Sequence, residues 1–124
     1  MMNLAAARIV LFAAGFALWA LTSALPLTET VVEGWDRPVY WQIGLPLVFA
    51  AQIAVAAFSK ERITLAPLWV LLGHTVAMLF VARADSSFGL LPLSVLFVGV
   101  PLYLMLLAAA FIGRTIRRLT GLAS

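Results

Sequence analysis

An all-α integral membrane protein built as a four-helix bundle is the fold this sequence predicts, and three observations carry the prediction. Hydrophobic residues make up 65% of the chain and charged residues 10%, with a mean hydropathy of +1.11, far more apolar than a soluble domain of ordinary composition. Four apolar runs, at about residues 4–25, 41–58, 66–82 and 88–112, each approach the roughly 20 residues that cross a hydrocarbon core about 30 Å thick. Basic residues gather where those runs end. The links between runs are short, so residues 1–124 read as a single transmembrane domain of two transmembrane hairpins.

The first run is interrupted only by Arg8 near its start. A secretory signal peptide is the rival reading, with Arg8 as its basic region and Thr22-Ser23-Ala24 as a small-residue cleavage site, but the apolar stretch is long for one. Ala13, Ala17, Ala20 and Ala24 recur at steps of four, three and four, a smooth stripe expected to let a neighbouring helix approach closely. The link that follows, residues 26–40, is the longest. It holds Glu29, Glu33, Asp36 and Arg37, with Trp35, Tyr40 and the adjoining Trp41 expected to settle at the membrane interface. Trp35 and the acids also offer a docking surface for a partner.

Proline at position 46 falls early enough in the second run to be tolerated. Ala50, Ala54 and Ala57 form a second small stripe, with Gln52 on the opposite side at 100° per residue, so two packing faces are expected. The charged turn Ser59-Lys60-Glu61-Arg62 closes the central hairpin. In the third run Pro67 suits a helix start, and Pro67, Val70, Leu71, His74, Ala77, Met78 and Val81 share one face. Trp69 points elsewhere, an expected anchor at the headgroups. Pro101 should kink the fourth run with Gly99 easing the bend, and Arg114, Arg117 and Arg118 should form a short amphipathic tail against anionic headgroups.

Orientation follows from charge. Arg8, Lys60, Arg62, Arg114, Arg117 and Arg118 lie on one side against Arg37 and Arg83 on the other, which predicts cytoplasmic N and C termini in a bacterial-type inner membrane. Four of the five acids, Glu29, Glu33, Asp36 and Asp85, fall on the outer side. Proteins that insert both ways round need a nearly balanced distribution, and this one is committed.

Counting helical rise from the inner ends puts His74, Gln52, Tyr103 and Trp19 at roughly 12 to 16 Å, one hydrogen-bonding side chain per helix in a layer about one turn thick. Polar groups in hydrocarbon are costly unless paired, so Gln52 and His74 are expected to face inward and find partners. Three readings of the layer compete. The plainest is structural glue that sets helix register. The second makes His74, the only histidine, a proton-handling group. The third makes it an axial haem ligand, which needs a second ligand from elsewhere or five-coordinate iron.

Several classes fall away. The chain has no cysteine, and no Gly-rich phosphate loop, zinc-type spacing or nucleophile elbow stands in it. The net charge of +3 is explained by the helix ends, so nucleic acid is not an expected partner. The expectation is a non-enzymatic protein without cofactor, an accessory or scaffold subunit whose partners are the lipid bilayer and another protein or a second copy. The alternative is a homo-oligomeric transporter or channel with His74 and Gln52 lining the path.

Overall fold

The structure, a computed structural model, describes residues 2–24, 40–82 and 91–121. Trp35, the 26–39 part of the outer link, and the charges at 83 and 85 lie outside the described residues. Among the described residues are four helices, α1 (Leu4–Ala24), α2 (Leu45–Phe58), α3 (Ala66–Ala82) and α4 (Leu91–Thr120), with a π-helical turn, Tyr40–Gly44, leading into α2. Asn3 caps α1, its Oδ1 accepting from the Ala6 amide at 2.7 Å, which satisfies one of the orphan donors of the first turn.

The start of α1, the end of α2, the start of α3 and the end of α4 meet at one end of the bundle. The Met2 amide donates to the Phe58 carbonyl at 2.8 Å, and side chains of Arg8, Arg114 and Arg117 all reach the turn at 59–61. The helices therefore alternate in direction. Three segments are long and apolar enough to cross a membrane, Leu4–Leu21, Tyr40–Phe58 and Leu96–Thr120, as in a multi-pass membrane protein. The fourth, α3, is apolar over the shorter stretch Ala66–Phe80.

Packing departs from what hairpin connectivity suggests. The most extensive contacts join α1 to α3 and α2 to α4, pairs that run parallel, whereas the sequential neighbours α2 and α3 scarcely meet. Glycine explains the first pairing: a Cβ at Gly15 would overlap the Val70 carbonyl, and one at Gly73 would overlap the Phe12 carbonyl, so the two backbones cross in direct contact. Gly113 of α4 lies in the same way on the Ile53 carbonyl of α2. The crossing face of α1 is Ala7, Leu11, Gly15 and Leu18, all buried, whereas Ala13 of the expected stripe is exposed. In α2 the buried residues are Leu45, Val48, Gln52, Val55, Ala56 and Ala57, so of the expected stripe Ala57 is buried while Ala50 and Ala54 look outward. On α3, Ala66, Pro67, Val70, Gly73, His74, Ala77 and Met78 are buried, which includes most of the expected face.

The fourth helix continues through Pro101 without interruption and runs on past residue 112 for two more turns. Arg114, Arg117 and Arg118 are thus the last turns of a 30-residue helix rather than a separate tail.

Candidate functional site

The buried polar cluster forms around His74. The α1–α3 crossing sets its position: with Gly15 seated on Val70, the next turn of each helix brings Trp19 against His74. Their rings are 5.2 Å apart at 62°, an edge-to-face contact. From the α2 side comes Tyr40, whose hydroxyl lies 3.0 Å from His74 Nε2. Tyr40 is 1% exposed and His74 4%. When Tyr40 donates, Nε2 accepts, and the ring proton sits on Nδ1.

Tyr40 was expected at the interface; it is instead the partner of His74, and the π-turn is the reason. At the α-helical ~100° per residue, Tyr40 would fall roughly 110° from the centre of the buried face of α2, but the wider winding, about 80° per residue, brings it to within about 20°. Its neighbour Trp41 is 51% exposed, its ring edge-on to Tyr40 at 5.0 Å.

Two expected members of the layer lie elsewhere. Tyr103 donates to the Thr64 carbonyl at 2.9 Å, on the turn before α3, because that turn climbs into the bundle and meets α4 there. Gln52 is fully buried, but twelve residues and about 18 Å of helical rise separate it from Tyr40, and its amide oxygen and nitrogen have no hydrogen-bond partner among the described residues. The single layer is thus two levels: Trp19, Tyr40 and His74 on one, Gln52 nearer the Ser59 end.

Beside the imidazole is a cavity of about 40 Å³ lined by Leu71, His74, Thr75, Met78, Val98, Gly99 and Leu102. A second hollow of about 130 Å³ lies between Tyr40, Trp41 and Leu45 on one side and Phe97, Pro101 and Met105 on the other. The residues do not fit a haem: Nε2 faces the Tyr40 hydroxyl, and the cavity that His74 lines is far too small for a porphyrin. Among the described residues no group of three His, Cys, Asp or Glu is placed to hold a metal.

The second polar assembly, which the sequence reading did not anticipate, is at the Ser59 end. Arg8 donates to Glu61 through Nε at 2.5 Å and Nη2 at 3.5 Å, and the Arg62 amide donates to Glu61 Oε1 at 3.1 Å. The Glu61 amide donates to Ser59 Oγ at 3.3 Å. Arg114 and Arg117, expected to reach headgroups, donate instead to the carbonyls of Glu61 and Ser59, each at 2.7 Å, and Arg117 is buried; Arg118 is exposed. Trp69, expected to turn away from the interior, is half-buried with the Arg8 guanidinium 5.4 Å from its ring centroid. The Arg8 hydrogen bond holds the Glu61 carboxyl below the usual carboxylate range, against burial that would raise it. The signal was present: Glu61 is the one acid among the basic residues assigned to that end.

No protein-family model, curated protein or solved structure matches the chain.

Proposed function

We propose that the chain is a non-enzymatic accessory or scaffold subunit of a larger complex in a bacterial-type inner membrane, with both termini cytoplasmic. The observation that carries this reading is the closed interior. Two backbone crossings at Gly15–Gly73 and Gly113 draw the helices together, His74 faces Tyr40, Arg114 and Arg117 face carbonyls of the 59–61 turn, and Gln52 is enclosed without a partner, so the described residues line no continuous passage. Such a bundle supplies shape and rigidity. The orientation rests on Arg8, Lys60, Arg62, Arg114, Arg117 and Arg118 standing at one end.

The test is native mass spectrometry of the protein extracted gently from its own membrane, with pull-down in mild detergent. A heteromeric mass is expected; a lone monomer with no recovered partner overturns the reading. A homo-oligomeric transporter with His74 and Gln52 on its path is supported less well, because both side chains are buried within one protomer and His74 Nε2 is met by the Tyr40 hydroxyl. Proteoliposome flux abolished by His74→Ala and Gln52→Ala, in protein that retains its fold, would restore it.

A further inference from the structure

We infer that the outward side of α3 seats an anionic phospholipid, with an acyl chain along the helix and the phosphate at Arg62 and Arg8. An open apolar groove of about 400 Å³ runs there, lined by Leu65, Leu68, Trp69, Leu71, Leu72 and Thr75. From Leu65 to Thr75 is about 15 Å of helical rise, half of a ~30 Å hydrocarbon core and so long enough to seat much of one acyl chain.

The mouth of the groove at the Ser59 end is cationic. Arg62, exposed, stands three residues before Leu65, and its carbonyl accepts from the Leu65 and Ala66 amides at the positive end of the α3 dipole. The Arg8 side chain is 40% exposed, and its guanidinium lies over Trp69, which itself lines the groove. Glu61, the one acid described at this end, is 3% exposed and turned to Arg8 and the Arg62 amide. Arg114 and Arg117 are engaged with carbonyls. Of the exposed cations Lys60, Arg62 and Arg118, Arg62 is the one that adjoins Leu65 of the groove. Arg8, though bonded to Glu61, keeps its guanidinium over the groove's Trp69, so the phosphate is assigned to Arg62 with Arg8 beside it.

The groove's walls select a lipid over a second helix. Helices associate in membranes through small residues that let backbones approach, whereas this face is built of leucines and a tryptophan. A bare phosphate would use the cations and leave the groove unused. The inference is independent of the accessory-subunit reading.

The experiment is native mass spectrometry of the delipidated full-length protein titrated with phosphatidylglycerol or phosphatidylcholine of identical chains. Phosphatidylglycerol should be retained at least about fivefold better, and Arg62→Gln should lower its retention about fivefold while leaving phosphatidylcholine unchanged, the effect of one basic residue at a charged surface. Leu68→Trp, which fills the groove from an exposed position, should lower both lipids at an unchanged melting temperature. Equal retention of the two lipids, or Arg62→Gln that holds phosphatidylglycerol like the native chain, overturns the proposal. So does displacement by inorganic phosphate at matched concentration, which would mark a plain anion site. A dimer mass abolished by Leu68→Trp would assign the groove to a second copy instead.

Discussion

Tyr40 and Gln52 lie on one helix face and are opposite cases of a buried polar group. The Tyr40 hydroxyl meets an imidazole nitrogen at 3.0 Å; the Gln52 amide meets no partner among the described residues. A hydrogen bond between membrane helices contributes on the order of 0.6 to 2 kcal/mol, so Tyr40→Phe should lower stability by about 1 kcal/mol, read as a fall in melting temperature in detergent. A Tyr40→Phe variant that melts with the native protein would mean the bond contributes nothing net. Gln52→Met, similar in length and without the amide, should melt at the same temperature or higher, since a buried amide without a partner costs roughly 1 to 3 kcal/mol. A loss of about 2 kcal/mol would show that the amide is bonded in the membrane. The cost of an unpaired polar group in hydrocarbon placed Gln52 and His74 inside, and both are buried. It could not pair them, because partners depend on the winding at Tyr40–Gly44 and on how far the turn before α3 climbs, neither of which periodicity encodes.

At the scale of elements, the four helices were legible, although α4 runs to Thr120, two turns past the predicted end of its run, and the choice of neighbours was not. Alanine stripes drew attention on α1 and α2, yet Ala13, Ala50 and Ala54 face outward while glycines make the close crossings. Small residues permit approach but do not demand it, so a chain this rich in alanine offers more candidate faces than it has helices to fill them. The face of α3 was readable because one histidine and a run of apolar residues share it. The glycines give a graded prediction. Gly73→Ala drives a methyl into the Phe12 carbonyl, backbone that cannot step aside, and should destabilise by about 1 to 3 kcal/mol or more. Gly99→Ala meets nothing within 4 Å and should be neutral or stabilising by up to about 1 kcal/mol through helix propensity. Thermal melts of the two variants side by side test the crossing: equal behaviour would mean that α1 and α3 do not touch where the structure has them touch.

For the whole molecule the decisive contacts are at the Ser59 end, where one turn collects α1 through Arg8 and α4 through Arg114 and Arg117. Positive charge concentrated there would repel itself; a single carboxylate and two backbone carbonyls give it acceptors, so the arginines fasten the bundle as well as orient it. Fastening through Glu61 carries a pH signature. Its folded-state pKa is depressed, chiefly by the Arg8 hydrogen bond, so the folded protein releases this proton more readily than the unfolded chain. The stability it contributes is therefore fully present above the ordinary carboxylate pKa of about 4.3 and is lost as pH falls through the lower folded value. Melting temperature followed from pH 7 downward should fall more steeply in the native protein than in Glu61→Gln below about pH 5. Above that window the native protein should be the more stable of the two. Acids elsewhere in the chain titrate in both proteins and cancel in the difference. Parallel melting curves for the two across that range would show that Glu61 does not tie α1 to the turn.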